Sequence, residues 1–215
     1  MRARNDSLME IYDTLNTYFG DLHWWPGDTP FEIIVGAILT QNTAWRNVEK
    51  AISTLKSEEC LYPGVILKIE EKKLADLIRP AGYYNIKTRR LKSFIRFLYD
   101  EYNGDLDSMF EEDLWILRGK LLTVKGIGDE TADSILLYAG KKPVFVIDAY
   151  TRRILLRHNS IHADATYTEI QNLFMKNLPQ SVPLYNQFHA LLVNTGKFFC
   201  TGNPRCNECP LSMTQ

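Results

Sequence analysis

The sequence predicts an all-α fold. Apolar residues recur at helical spacing along most of the chain, turns containing Gly or Pro separate the periodic segments, and no strand-like alternation is sustained. Between Ser7 and Phe19, the residues Leu8, Ile11, Tyr12, Leu15 and Phe19 form one helical stripe. His23 to Asp28 breaks that pattern with Pro26 and Gly27 and reads as a loop. Thr29 then supplies a cap, with Pro30 at the first helical position and Glu32 three residues on. The apolar run Phe31 to Leu39 predicts that this helix is buried on nearly every side. Amphipathic segments follow at Ala44 to Lys56, Lys72 to Ile78, Ile86 to Tyr102, Leu114 to Leu122 and Glu130 to Ala139. Val144 to Ile147, between the stop at Gly140 and the helical Tyr150 to Leu156, reads as an extended connector. No internal repeat or low-complexity segment is visible.

With 215 residues, 45% of them hydrophobic, the chain can form one large or two small domains around a real core. No run approaches the roughly 18 apolar residues that span a bilayer. Met1 to Asp13 is charged throughout, unlike a secretion signal, so an intracellular, cytoplasmic protein without a membrane partner is expected. A net charge of −1 and a pI near 6.4 do not suggest a general polyanion binder. Contact with nucleic acid would need a local basic face, and three groups could supply one: Lys87, Arg89, Arg90 and Lys92; Lys141 and Lys142; Arg152, Arg153 and Arg157. Each group taken alone also reads as a solvated helix face.

The stretch Lys125-Gly126-Ile127-Gly128 joins two predicted helices. Two glycines around one apolar residue let the backbone turn sharply and leave amide groups exposed at the start of the second helix, while Ile127 packs back between the helices. Those amides and the helix dipole favour a phosphate. A plain helix–turn–helix connector uses the same residues, since Gly-x-Gly by itself is a weak signal. Asp148 follows the apolar Val144 to Ile147 and stands where it could cap the helix beginning at Ala149. Three of the four cysteines fall in the last sixteen residues, as Cys200-x5-Cys206-x2-Cys209. In an intracellular chain such clustered thiols point to metal rather than to disulfides.

Taken together, Leu121 to Ala132 with the hairpin, Val146-Ile147-Asp148, Gly36 to Thr43, Gly82 to Lys87 and the C-terminal cysteines resemble the endonuclease III superfamily of DNA glycosylases over about residues 7 to 215. Trp24-Trp25-Pro26, Leu39 to Thr43 with an aromatic at Trp45, and Arg79-Pro80-x-Gly82-Tyr83-Tyr84-Asn85 are similar to its 3-methyladenine DNA glycosylases. The resemblance implies two helical domains with a DNA-binding cleft between them. One is a central barrel over 28–139 that carries the helix-hairpin-helix motif at about 112–139; the other is built from 1–27 and 140–215. Damaged double-stranded DNA is the implied partner of a monomeric enzyme, with the target base flipped into a pocket. Gln41 and Tyr83 would wedge into the gap left by the base, Trp24 or Trp25 with Trp45 would sandwich it, and Lys87, Lys125, Gly126, Ile127 and Gly128 would serve the DNA backbone.

The resemblance also assigns chemistry. Asp148 would stabilise an oxocarbenium-like sugar and activate water. Bifunctional relatives carry a lysine eighteen residues before that aspartate, where this chain has Glu130, which cannot form an imine; hydrolysis with AP lyase activity weak or absent is therefore expected. Alkylated, cationic bases would gain attraction between indole faces, about 0.5–2 kcal/mol per good contact. Competing expectations are a thymine or uracil mismatch glycosylase, an endonuclease III-type enzyme for oxidised pyrimidines, and a non-catalytic damage-binding protein, which would dispense with Asp148. The family's [4Fe–4S] cluster would take Cys200, Cys206 and Cys209, but its fourth cysteine position is Gln215. Zinc is a second candidate for the same thiols, and a monovalent cation is implied at the hairpin.

Overall fold

The computed structural model describes residues 8–24 and 27–214. The expected pocket residue Trp25 and the position of Gln215 therefore lie outside the described residues. All regular elements among those described are helical, as expected. The chain forms two compact units, one from residues 25–142 and the other from residues 1–24 with 143–215.

The unit of residues 25–142 is organised on α2 (Pro30–Leu39), in which every residue from Phe31 to Leu39 is buried. Thr29 Oγ1 accepts the Glu32 amide at 3.1 Å and Pro30 opens the helix, so the start read from sequence is the one adopted. Around α2 lie α3 (Trp45–Ser57), α4 (Pro63–Lys68), α5 (Glu71–Leu77), α6 (Tyr84–Tyr102), α7 (Leu106–Glu111), α8 (Leu114–Thr123) and α9 (Asp129–Ser134). Beyond Ser134 the helix continues as a wider π turn over Ile135–Ala139, buried throughout and packed on α2. The short helices α4 and α7 carry too few turns to show a stripe in the sequence.

The other unit contains α1 (Leu8–Phe19), α10 (Ala149–Arg157), α11 (Tyr167–Asn177) and α12 (Val182–Phe198). Val144 to Ile147 is extended and fully buried, not paired as a strand. Phe145 stacks on Phe174 at 4.0 Å between ring centroids and meets Tyr185 and Phe188 edge-on. The backbone polarity of this segment is met by side chains: Gln171 donates to the Phe145 carbonyl at 2.7 Å, and the Ile147 amide donates to the Tyr167 hydroxyl. This bonding explains why a strand-like run is no strand. Helix α12 packs on both α1 and α10.

Candidate functional site

The hairpin between α8 and α9 is held from several sides. Gly126 has φ +95°, and a Cβ there would lie 2.3 Å from Arg90 Cγ, so the turn requires glycine both for its backbone conformation and for the Arg90 stem lying across it. Gly128 has room for a side chain in the free protein. Ile127 is buried between the helices, whereas Lys125, Gly126, Gly128 and Glu130 face solvent. Arg118 on α8 reaches across to α9, donating to Asp133 at 2.7 Å and to Asp129 at 2.8 Å. That buried, bidentate pair fixes the spacing of the two helices.

Gln41, just beyond α2, joins the same network. Its Nε2 donates to the Gly126 carbonyl at 3.2 Å and to Thr131 Oγ1 at 2.8 Å, and its Oε1 accepts from Arg90. In the free protein Gln41 is therefore a brace of the hairpin. Tyr83, by contrast, is 67% exposed and left-handed at φ +45°. A non-glycine residue in that region is sparsely populated and persists only where its surroundings impose it.

At Lys87 the expectation of a DNA-contacting lysine is corrected. Lys87 is 1% exposed, and its Nζ donates to the Leu39 carbonyl at 2.7 Å and the Ala81 carbonyl at 2.8 Å. Burial, with Arg90 nearby, pushes its ammonium down to about 8. The side chain cannot reach a phosphate. Instead it ties the segment leading to Gln41 to the segment leading to Tyr83. The position lies on the amphipathic stripe of α6, where a lysine in sequence looks like surface.

In the other unit, Asp148 is the N-cap of α10. Its Oδ1 accepts the Thr151 amide at 2.7 Å, and its side chain is 10% exposed. Capping and chemistry are thus not alternatives for this residue: one oxygen holds the helix and Oδ2 faces elsewhere. Against Oδ2, at 3.8 Å, lies Nε2 of His189 from α12, 3% exposed. Burial pushes the imidazolium of His189 below its ordinary range, and Asp148 pulls partly the other way. The opposite edge of this arrangement is Trp24, whose ring meets that of His189 edge-on at 6.4 Å. Trp24 also walls a cavity of about 510 Å³ lined by Tyr12, Asn16, Asp21 and Gln187, a volume typical of ligand pockets. His189 was not legible as a site residue. One histidine in the apolar run Phe188 to Val193 is the only signal the sequence offers.

Trp45 is half-buried at the start of α3, in the hairpin's unit.

Cys200, Cys206 and Cys209 line one cavity of about 50 Å³ with Arg157 and His158. Arg157 Nη1 lies 3.2 Å from Cys200 Sγ, and burial, with the neighbouring cysteines, pushes the Cys209 thiol up against an opposing backbone bond from Leu211. Among the described residues, however, no three Cys, His, Asp or Glu side chains stand close enough together to hold a metal ion. A [4Fe–4S] cluster takes four thiolates, so the described donors do not by themselves fit it, nor a zinc ion. At the hairpin, the carbonyls of Val124 and Gly126 accept hydrogen bonds from Ile127 N and Gln41 Nε2, and each keeps a second lone pair. Among the described residues no helix is long and apolar enough to cross a membrane.

The HhH-GPD superfamily base excision DNA repair protein profile matches residues 35–180, which include the hairpin and Asp148. A Methanocaldococcus jannaschii protein provisionally named a DNA repair glycosylase is 47% identical over 208 residues, covering 96% of this chain and 94% of that one. The H. pylori 3-methyladenine DNA glycosylase MagIII, solved with 1,N6-ethenoadenine, aligns with a TM-score of 0.79 and 30% identity over 89% of this chain and 98% of its own. A non-covalent endonuclease III–DNA complex aligns with a TM-score of 0.82 over 96% of this chain and 92% of its own, at 23% identity, a likeness of fold.

Proposed function

We infer the reaction from the premise that this chain belongs to the HhH-GPD superfamily of base excision DNA repair proteins and is a DNA glycosylase. Its substrate is an alkylated purine such as 3-methyladenine, removed by hydrolysis. The observation that carries this reading is the setting of Asp148. One oxygen is committed to the α10 cap, and the other lies 3.8 Å from Nε2 of the buried His189, whose ring in turn meets Trp24 edge-on. A carboxylate so placed stabilises positive charge developing on the sugar and accepts a proton from the attacking water. The indole face of Trp24 attracts a cationic base, which is itself an activated leaving group. The likeness to the H. pylori 3-methyladenine enzyme supports the same substrate class.

The hairpin grips the DNA backbone through its amides and Lys125, and Tyr83 enters the stack where the base has left. Glu130 opens α9 on the exposed face. With no amine at that position, no Schiff base forms there and the strand stays intact. Lys125 precedes the glycines rather than following them, so it does not replace the missing nucleophile. The thiol cavity takes no part in this chemistry; iron and acid-labile sulfide analysis of the purified protein reads directly whether a cluster is held there.

The test is base release from methylated DNA, with chromatography of the freed bases and parallel duplexes carrying a thymine or uracil mismatch. Release of 3-methyladenine, with no strand cut before alkali and no borohydride-trapped complex, is the expected result. Release of a pyrimidine without methylpurine would leave the glycosylase and overturn the substrate. A trapped covalent complex would overturn the monofunctional mechanism.

A further inference from the structure

Removal of a cationic methylpurine creates a proton problem. Water adds its oxygen to C1′ as the C1′–N bond breaks, and the bond pair leaves with the base. A base that was cationic departs neutral and takes no proton. One hydrogen of the water stays on the new C1′ hydroxyl, and the other must be accepted by the protein. Asp148 Oδ2 takes it first, but a protonated Asp148 no longer stabilises charge and must be reset.

We propose that His189 is the residue that resets Asp148, receiving from Oδ2 the proton taken from water and holding it as imidazolium until the products leave. The inference rests on the alkylpurine reading above. The geometry supports it in three ways. His189 Nε2 is 3.8 Å from Oδ2, so a closing movement of about 1 Å brings the pair to hydrogen-bond distance. Because Oδ1 is held by the Thr151 amide, Oδ2 is the oxygen that exchanges protons. The ring is almost wholly buried, so burial keeps it neutral and able to accept, while the restored Asp148 carboxylate stabilises the imidazolium once formed. His189 touches no substrate atom in this scheme; it acts through Asp148.

Two helices pack on α12. From α10 come Asp148 and Arg153, and the Arg153 guanidinium is turned to the carbonyls of Gly196 and Cys200. From α1 comes Tyr12, whose phenol is pushed up by its burial and by Asp13 and Asp21, and so stays neutral. Asp148 is the charge whose oxygen lies against the His189 ring and offsets the effect of its burial. The base-release rate should fall on the acid side as His189 becomes protonated, because an imidazolium can accept nothing and offsets the Asp148 charge.

The experiment compares wild type with His189→Gln and His189→Phe. It measures multiple-turnover release of 3-methyladenine, with substrate in excess over enzyme, from pH 5 to 8.5 and binding to a duplex containing an abasic-site analogue. The expected result is a loss of at least about tenfold in rate, within the range of a positioned acid or base, with binding within about twofold of wild type and the acid limb removed. A wild-type rate in His189→Gln, or an acid limb unchanged in both variants, would overturn the proposal. If neither variant folds, nitrogen-15 correlation spectra of the wild-type protein decide: neutral His189 must carry its hydrogen on Nδ1, and a hydrogen on Nε2 refutes proton uptake there. Failure of wild type to release methylpurine sinks the substrate reading instead, and is seen before any variant is compared.

Discussion

The hairpin and Asp148 differ in how much of their bonding the fold has already used. At the hairpin, Gly126 is locked by its φ of +95° and the Arg90 stem, its carbonyl is taken by Gln41, and Arg118 clamps α8 to α9. At Asp148 the fold takes one oxygen for a helix cap and keeps the other against a neutral, buried histidine. A surface that must accept a regular phosphate backbone benefits from being pre-organised, because its ordering cost is met during folding. A group that must exchange a proton within each turnover needs one uncommitted valence. The proposed division of labour between grip and chemistry rests on that contrast.

The largest expected effect comes from breaking the rigid side. Gly126→Val puts a β-branched side chain into a left-handed conformation and into the Arg90 stem, and should cost about 3 kcal/mol or more of stability. The melting temperature should fall, and the fraction that still folds should bind DNA at least tenfold more weakly; unaltered binding would remove the hairpin from the interface. Lys87→Met leaves the Leu39 and Ala81 carbonyls without their donor, partly offset by removing a buried ammonium, and should cost about 2 kcal/mol. Its salt dependence of DNA binding should equal that of wild type, since the lysine meets no phosphate; a shallower slope would restore it to the interface. The smallest effect belongs to Lys125→Ala. Loss of one exposed phosphate contact should weaken binding only a few-fold and reduce the slope of log K against log salt by about one. A slope unchanged on titration would mean that Lys125 does not touch DNA.

The same contrast explains what the sequence revealed. Gly126, Ile127 and the Thr29 cap could be read because local backbone geometry demands those residue types, and the structure places them as expected. Asp148 was legible as a cap through its place before a helix, and the structure shows that cap. Lys87 was misread because composition assigns a lysine on an amphipathic helix to solvent, whereas two carbonyl groups separated by many residues in sequence converge on it. His189 was missed for a related reason: its meaning lies in Asp148, 41 positions earlier, and in Trp24 at the other end of the chain. Helices α11 and α12 escaped a reading that tracked stripes only as far as Leu156. Their caps, Thr166 with Glu169 and Ser181 ahead of Pro183, follow the same rule as Thr29.

The most direct measurement is to separate grip from chemistry in one variant. Asp148→Asn keeps the side-chain oxygen that can accept the Thr151 amide and removes the charge, so the protein should fold, bind an abasic-site duplex within about threefold of wild type, and release methylpurine at least about a thousandfold more slowly, the scale of a lost electrostatic or acid–base group. Base release by Asp148→Asn at the wild-type rate would contradict the account at its centre.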